Sequence, residues 1–461
     1  MSSLDTATER TAAKGDQLSR DGLLKFLLPS LLGMSMFLVP IYLEDQVTIG
    51  LGLMADWLKG LAGDALPAMA VTILCLSVVL TTLVKVTKPG WAQKGVWREI
   101  FNVGHAWFAM RVLGALFGLM TLFQFGPEFI WNRNTGGVVL LDLVPVLLTF
   151  FFCAAVLLPF LVDFGLMEFI GALVSKPFRF IFRLPGRSAI DATASWLGSG
   201  TVGVLITAQQ YEQGFYNRRE AAVIATNFSV ASIAFSLLIT TFVGLNHMFI
   251  QFYLTVVVAG LIAAIIVPRL PPLSRKPDTY YEPVGCRIAE AAPSDKGVLR
   301  YSLELAVARA AQAPGAGKLA MSALINVVDI FLALLPLVVA IGTISLVLAE
   351  YTQLFVWLSY PMIPLLELLR LPEAAAAAPA TLVGFADMFL PAVLAKGIES
   401  ELTRFVVACL SLTQLVYMSE VGALLLKSRI PLNLWELLVI FLLRTLITLP
   451  IIALMAHVFF F

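Results

Sequence analysis

Nine apolar stretches, each about 20 residues or longer, dominate this sequence of 461 residues. A stretch of that length suffices for an α-helix to cross the hydrocarbon core of a bilayer. Charged residues make up only 13% of the chain, well below the share found in soluble domains. The sequence therefore predicts an all-α polytopic membrane protein. The predicted spans are residues 23–42, 66–86, 107–125, 138–162, 221–243, 248–268, 320–348, 401–426 and 432–460.

The basic residues predict how the chain is oriented. With the N-terminus inside, the inner segments hold 24 of the 31 Lys and Arg residues and the outer segments hold five. Because basic residues concentrate on the cytoplasmic side, we expect a bacterial inner-membrane protein with its N-terminus in the cytoplasm and its C-terminus outside. A net charge of +1 argues against nucleic acid as a partner, and four scattered cysteines argue against a disulfide framework or a structural zinc site.

Two further apolar segments, 188–208 and 374–396, are predicted to be re-entrant hairpins rather than spans. The first is dense in Gly, Ser and Thr and carries Asp191, and the second carries Pro379 and Asp387. If either segment crossed the membrane, the charge balance of the chain beyond it would invert; for the first segment, the loop 269–318 with its eight basic residues would face outward. Irregular backbone at membrane depth requires protein or a watery cavity around it, so this interpretation already implies a cavity.

A weak internal repeat relates the two halves of the chain. A shift of 187 residues superposes Asp142 on Asp329, Asn227 on Gln414 and the first hairpin on the second. Three spans separate equivalent points, so the copies are expected to be inverted, which is an architecture of secondary transporters. Chance similarity between apolar helices is the alternative. The predicted units are a scaffold (1–135), a first repeat (138–268), a cytoplasmic connector (269–318) and a second repeat (325–461).

The clearest motifs lie between residues 185 and 245. They are the run Pro185 to Asp191, the run Gly198-Ser199-Gly200-Thr201-Val202-Gly203, and the run Arg219 to Ser229. These runs resemble the YjiH family of bacterial membrane proteins, which carries the Gate or nucleoside-recognition domain. More distantly, the order of elements is similar to that of the concentrative nucleoside transporters. The resemblance implies transport by an elevator-like core, although the hairpin signatures of the nucleoside transporters are absent here.

Acids inside the membrane are costly and are functional candidates by default, whereas hydroxyl and amide groups can bind a polar solute or Na⁺ without the full cost of burying a charge. The expected substrate-binding residues are Asp191, Ser199, Thr201, Asn227, Ser229, Asp387, Gln414 and Glu420, and the expected ion-coupling residues are Thr226, Asn227, Asp329 and Asp387. Structural alternatives stay open. Asp191 has the position of a helix N-cap. Asp387 has the position of a hairpin-tip residue that bonds to local amides. The neutral polar residues could instead form hydrogen bonds between helices.

Two arginines lie within predicted spans. Arg444 falls at mid-span, so we expect it to pair with a carboxylate such as Glu420 or Glu436, and a structural ion pair and contact with the substrate both stay open. Arg111 lies near a span end, where a long side chain reaches the interface. The segment Pro314–Leu319 lacks the first glycine and the Ser/Thr of a phosphate-binding loop, so no ATP site is predicted.

The sequence thus predicts a secondary active transporter, not an enzyme, that moves a small polar solute such as a nucleoside-like compound, an amino acid or a peptide. Coupling to Na⁺ or H⁺ is expected, with Na⁺ favoured because neutral oxygen donors suit a hard cation. No cofactor or metal is expected beyond a bound Na⁺. The partners expected are the solute, the lipid bilayer and further copies in a dimer or trimer. The alternative is a Gate-domain assembly or sensing protein without transport activity.

Overall fold

The computed structural model describes residues 20–43, 46–93, 95–197, 200–228, 233–282, 284–285 and 297–461. Ser199 and Ser229, two of the expected site residues, lie outside this part of the chain, as does the side chain of Thr201. The described chain is helical except for loops and one small antiparallel sheet, formed by β1 (Pro40–Leu43) and β2 (Gln46–Ile49). The last residues of the predicted first span therefore form a strand.

Helices of the N-terminal region precede the two predicted repeats. Within this region an apolar helix at Gly50–Ala62 is followed closely by a long helix at Leu66–Thr87. The large side chains of Trp57 and Leu61 on the first of these helices are exposed. The helices are α1 (Arg20–Leu38), α2 (Gly50–Ala62), α3 (Leu66–Thr87), α4 (Gly95–Phe101), α5 (His105–Phe123) and α6 (Glu128–Trp131).

The first repeat opens with a π-helical stretch, Arg133–Leu143, that leads into a long helix with a proline in its first turn. Proline suits this position because its missing N–H has no helical partner there. The helices are α7 (Val144–Val162), α8 (Leu166–Phe182), α9 (Ser188–Leu197), α10 (Gly200–Glu212), α11 (Arg218–Asn227), α12 (Ile233–Phe242) and α13 (Phe249–Ile266).

A connector helix, α14 (Val298–Ala311), packs on α1 and α8 and leads to the second repeat. Here a π-helical stretch, Ile330–Leu334, again precedes a long helix with a proline in its first turn. The helices are α15 (Ala316–Asp329), α16 (Leu335–Tyr351), α17 (Leu354–Ser359), α18 (Ile363–Leu368), α19 (Ala374–Val383), α20 (Leu390–Ala395), α21 (Glu401–Thr413), α22 (Val421–Lys427) and α23 (Leu434–Met455).

Six helical segments of the described chain are long and apolar enough to cross a membrane. Two of the other predicted spans, 221–243 and 401–426, are interrupted: the first divides into α11 and α12 and the second into α21 and α22. The six segments are Gly50–Thr87, His105–Phe123, Glu128–Leu161, Asn246–Arg269, Ala316–Tyr351 and Leu434–Phe460. The chain is therefore a helical membrane protein.

The helix boundaries of the two repeats agree after a shift of 187 residues. The shift places α9 on α19, α11 on α21 and α12 on α22, each within about four residues at either end. The amphipathic helix α8 corresponds to the pair α17 and α18, and the final helices α13 and α23 correspond as well. Both repeats therefore contain the same succession of a long helix, one or two shorter helices, a helical hairpin and a broken helix.

The two ends of each helical hairpin lie close together in space. The guanidinium of Arg187, just before α9, lies 4.0 Å from the ring of Phe215, just after α10. In the second repeat the Glu373 carboxylate, before α19, accepts a 2.8 Å hydrogen bond from the backbone N–H of Ser400, after α20. The two helices of the first hairpin pack closely at Gly203, where a Cβ would overlap the Ser195 side chain.

The N-terminal helices pack mainly against the first long helix of each repeat. Helix α5 lies along α16, where Gly114 contacts the backbone carbonyl of Pro336 so closely that no side chain fits. Helices α1, α2 and α3 all contact α7. Among the hairpin and broken helices, α12 also contacts α1 and α2.

Candidate functional site

The broken helix of the first repeat places two polar side chains in a buried position. A capping box between Asn217 and Glu220 starts α11, and the helix ends at Asn227. Thr226 and Asn227 are 0% and 1% exposed. The Thr226 hydroxyl donates to the Ala222 carbonyl and accepts a 3.1 Å hydrogen bond from Asn227 Nδ2. This local bonding leaves Asn227 Oδ1 directed at a partner on another element.

The broken helix of the second repeat stops at Thr413 and resumes at Val421. Leu415 adopts a positive φ of 60°, which a helix cannot contain. The N–H groups of this unwound segment are satisfied by the tip of the second hairpin. Met418 and Ser419 donate backbone hydrogen bonds of 2.8 and 3.0 Å to the carbonyl groups of Phe385 and Ala386. The irregular backbone at Met418 and Ser419 is therefore bonded within the protein.

Arg444 on α23 joins the two broken helices. Its Nη1 donates a 2.8 Å hydrogen bond to Asn227 Oδ1, and its Nε donates one of the same length to the Thr413 carbonyl. The side chain is fully buried. The predicted pairing with Glu420 or Glu436 is wrong, because Glu436 pairs with Lys276 at 2.6 Å and Glu420 accepts from the Tyr417 hydroxyl. Within the described chain, the guanidinium has only neutral hydrogen-bond partners.

Gln414 ties the unwound segment to the second hairpin. Its Nε2 donates to the Thr381 carbonyl at 2.7 Å and to Thr445 Oγ1 at 2.8 Å. Its Oε1 is packed against Gly384 at the hairpin tip, and no hydrogen-bond donor reaches it within the described part of the chain. Asn227 and Gln414, which the repeat relates to each other, thus belong to one network that runs through Arg444 and its neighbour Thr445.

Asp387 lies at the tip of the second hairpin and is buried. Its Oδ1 accepts a 2.7 Å hydrogen bond from the backbone N–H of Phe389, which is the local cap that one alternative foresaw. The Ser419 side chain lies beside the carboxylate, so Asp387 also borders the unwound segment. Glu420 borders the same segment and is partly exposed.

Asp191 occupies a separate place inside the first hairpin. The carboxylate is 2% exposed, and its Oδ2 accepts hydrogen bonds from the hydroxyl groups of Tyr216 at 2.8 Å and Thr207 at 3.4 Å. Asp191 lies in the first turn of α9, but its carboxylate bonds to side chains rather than to the N-terminal amides. Its observed partners are residues of the hairpin and of the loop that follows it.

Asp329 lies on α15 rather than in the cluster around Arg444. Its carboxylate attracts Arg111 on α5, and this guanidinium also donates 2.8 Å hydrogen bonds to Thr81 Oγ1 and the Ile100 carbonyl. Arg111 is 2% exposed, so the expectation that it reaches the interface is wrong. The pair connects the N-terminal helices to the second repeat, because Arg111 and Thr81 belong to the former and Asp329 to the latter.

Sequence reasoning missed several members of this network. The sequence indicates that Arg444 is a costly mid-span charge, and this signal could have placed it among the expected site residues. Thr445 and Gly384 carry no comparable signal, since small and hydroxylated residues are common in membrane helices. Among the described residues no group of three or more His, Cys, Asp and Glu side chains is suited to hold a metal ion.

The fold and the site together define a membrane protein of the transporter-like class. A family model described as nucleoside recognition, the Gate domain, matches residues 144–246, which extend from α7 beyond α12. An uncharacterized protein of Alkalihalophilus pseudofirmus is 58% identical over 439 residues, and the match covers 95% of each chain. No solved structure matches. The chain belongs to the same family as that protein, the YjiH-like Gate-domain membrane proteins.

Proposed function

We propose that the protein is a secondary active transporter that moves a small polar solute across a bacterial inner membrane by alternating access. The observation that carries the proposal is the link made by Arg444 between Asn227 and Thr413, which end the two broken helices. Discontinuous helices at equivalent positions of two repeats mark the binding sites of secondary transporters. The polar cluster formed by Asn227, Thr413, Gln414, Arg444 and Thr445 is the proposed solute site.

The common order of helices supports an inverted repeat. An odd number of crossings between equivalent elements would place the two copies in opposite orientations. The two ends of each hairpin contact each other, Arg187 with Phe215 in the first and Glu373 with Ser400 in the second. Neither hairpin therefore moves the chain to the other side of the membrane, which supports an odd number of crossings between equivalent elements. With both hairpins re-entrant, the six long segments, the two broken helices and α1 (Arg20–Leu38) together give nine crossings of the membrane.

Ion pairs between distant segments support the same topology. Arg309 on the connector pairs with Asp163 at 3.6 Å and with Glu168 at 3.5 Å. The connector and the segment 163–168 therefore lie on the same side, which requires an even number of crossings between residues 168 and 309. His247 pairs with Glu401 at 2.7 Å, at positions assigned to the outer side. The excess of basic residues on the side that holds Arg309 makes it the cytoplasmic side.

The packing supports a division into scaffold and moving core. Gly114 and Pro336 join α5 to α16 through close backbone contact, which resists sliding. By contrast, the second hairpin is held to the unwound segment by two backbone hydrogen bonds and the Gln414 side chain. We expect the hairpins and broken helices to move, and the N-terminal helices to stay fixed and to contribute contacts between copies in a dimer or trimer.

The site is closed in this conformation, because Asn227, Gln414 and Arg444 are each at most 2% exposed. A solute reaches these groups only after the second hairpin separates from the unwound segment, which is the movement that alternating access requires. Amide, hydroxyl and guanidinium groups suit a polar solute, and amino acids, peptides and nucleoside-like compounds are the classes to test first. The description of the family model favours including nucleosides.

The coupling ion is Na⁺ or H⁺. Asn227 Oδ1 accepts from the Arg444 guanidinium, and this positive charge disfavours a second cation beside it. Asp387 is therefore the stronger candidate for ion coupling, and Thr226 remains the candidate hydroxyl ligand for Na⁺. If Na⁺ is coupled, Thr226→Ala should weaken the Na⁺ dependence of uptake. If H⁺ is coupled, Asp387→Asn should abolish the response to a pH gradient while solute binding stays measurable.

Uptake into proteoliposomes tests the proposal. Purified protein is reconstituted, and labelled solutes from the three classes are added under an inward Na⁺ gradient, an inward H⁺ gradient or no gradient. A transporter accumulates at least one solute in a gradient-dependent manner, and protein-free liposomes are the control. Uptake that ignores both gradients for every solute contradicts the proposal and favours the alternative, a Gate-domain assembly or sensing protein without transport.

A further inference from the structure

We infer that the transported solute carries an oxyanion, a carboxylate or a phosphate, and that Arg444 is its binding residue. The inference rests on the proposed transport function, for which it names the chemical class of solute. It is argued from the charge at the centre of the closed site, from one nitrogen atom that lacks a partner, and from the neutrality of the surrounding groups.

The charge of Arg444 is not compensated within the described chain. Its hydrogen-bond partners are an amide oxygen and a backbone carbonyl, both neutral, and the side chain is 0% exposed. The second buried arginine, Arg111, provides the comparison, because the Asp329 carboxylate lies near it. A buried charge is costly unless an opposite charge accompanies it. Arg444 therefore has the environment of a cation whose counter-ion comes from outside the protein.

One end of the guanidinium is free to bind. Nε and Nη1 are engaged, whereas the buried Nη2 has no hydrogen-bond partner in the described part of the chain. Buried side-chain donors nearly always have a partner, so an exception of this kind requires an explanation. Carboxylates and phosphates are the groups that arginine binds most strongly, through charge-assisted hydrogen bonds. The engaged Nε and Nη1 hold the side chain in a fixed orientation for such a group.

Neighbouring groups complete a site for a solute that has donors as well as an oxyanion. Gln414 Oε1 is an acceptor without a donor, and Nε2 of the same amide donates to Thr445 Oγ1. The hairpin tip at Gly384 covers this oxygen. When the hairpin moves away, Oε1 is uncovered and can accept from a hydroxyl or amino group of the solute. The described hydrogen bonds of Arg444, Gln414 and Thr445 are all with neutral groups. Among these three side chains, the charge that attracts a solute oxyanion is therefore the guanidinium of Arg444.

Binding to purified protein in nanodiscs, without any ion gradient, tests the inference independently of transport. Matched pairs of probes differ only in the oxyanion: uridine 5′-monophosphate against uridine, and lactate against lactamide, with inorganic phosphate as a further probe. We expect at least one anionic member to raise the thermal midpoint in a saturable manner, and its neutral partner to have no effect. The first pair tests phosphate and the second tests carboxylate.

Variants of Arg444 connect binding to this residue. Arg444→Met should weaken binding of the anionic probe by at least about 30-fold, and Arg444→Lys, which keeps the charge, should weaken it less. Arg111→Met is the matched control, since it removes the other buried guanidinium and should leave the affinity unchanged. If the Arg444 variants do not fold, a Ser419→Cys protein should react with a thiol reagent more slowly when the anionic probe is present.

The outcomes separate the inference from the proposed function. Anion binding that depends on Arg444, without gradient-driven uptake, supports the inference and contradicts transport. Gradient-driven uptake of a neutral solute that persists in Arg444→Met overturns the inference and leaves transport intact. The inference is also overturned if no anionic probe binds better than its neutral partner, or if Arg111→Met lowers the affinity as much as Arg444→Met.

Discussion

Replacement of Gly384 by alanine should test how the second hairpin closes over the candidate site. A Cβ at this position would overlap Gln414 Oε1 and would lie 3.2 Å from both Gln414 Cδ and Pro391 Cγ. The proline ring is fixed in α20, so the glutamine side chain is the group that has to move. Moving it breaks the hydrogen bonds from Nε2 to the Thr381 carbonyl and to Thr445 Oγ1.

The expected cost follows from these contacts. Each buried polar group that loses its partner costs about 1–3 kcal/mol, and overpacking adds about 1–3 kcal/mol where the neighbours cannot relax. Because the glutamine can relax, we expect the free energy of unfolding to fall by about 2–4 kcal/mol for Gly384→Ala. Equilibrium unfolding in mixed detergent micelles measures it. Gly186→Ala is the matched control, since its nearest neighbour would be 3.5 Å from the new Cβ.

A double-mutant cycle identifies the cause. Gln414→Ala removes the overlapping side chain, so Gly384→Ala should cost much less in that background than in the wild-type protein. Coupling of at least about 1 kcal/mol is expected for residues in direct contact. A Gly384→Ala protein as stable as the Gly186→Ala protein would refute the packing argument. Equal costs of Gly384→Ala in the two backgrounds would show that Gln414 is not the group displaced.

Three further predictions follow from the described contacts. In a background without native cysteines, Gln312→Cys should react with an impermeant thiol reagent only from the cytoplasmic side and Gln353→Cys only from outside; labelling of either from the opposite side would contradict the topology. Tyr216→Phe removes the 2.8 Å hydrogen bond to Asp191 and should lower the free energy of unfolding by about 1–3 kcal/mol, whereas the exposed Tyr360→Phe should not change it. Burial raises the pKa of Glu168 above its ordinary value of 4.5, although Arg309 opposes the shift. The folded protein therefore binds this proton more tightly than the unfolded chain, and stability falls as pH rises above 4.5. Glu168→Gln should lose less stability than the wild type over that rise, and an equal loss in unfolding experiments would contradict the assignment.

Much of the candidate site was visible in the sequence because polar residues inside apolar stretches are costly. Asn227, Gln414 and Asp387 were marked in this way, and the structure places all three at or near the junction of the broken helices and the second hairpin. The same argument did not place Asp329, which lies near Arg111 rather than in this cluster. A carboxylate at membrane depth either serves function or neutralises a neighbour, and only the packing of α5 on the second repeat shows that Arg111 is nearby.

The partner of Arg444 shows the limit of sequence reasoning in another way. The sequence indicated that a mid-span guanidinium requires compensation, and carboxylates nearby in the chain were the natural choice. In the structure its partner Asn227 is 217 positions away in the chain and belongs to the other repeat. The choice between a carboxylate and an amide depends on the distances between helices, which no local pattern contains.

The sequence by itself indicated the membrane environment and the helical class, and it contained a 187-residue repeat with which the helix boundaries agree. These features depend on the length and spacing of apolar runs, because the bilayer requires helices of fixed length with all backbone groups bonded. Only the tertiary structure decided that the helices 221–243 and 401–426 are broken and that Arg444 joins them. In 401–426 the break is accommodated because the backbone N–H groups of Met418 and Ser419 find partners on the second hairpin. Those partners are distant in sequence, so their proximity arises only when the chain has folded.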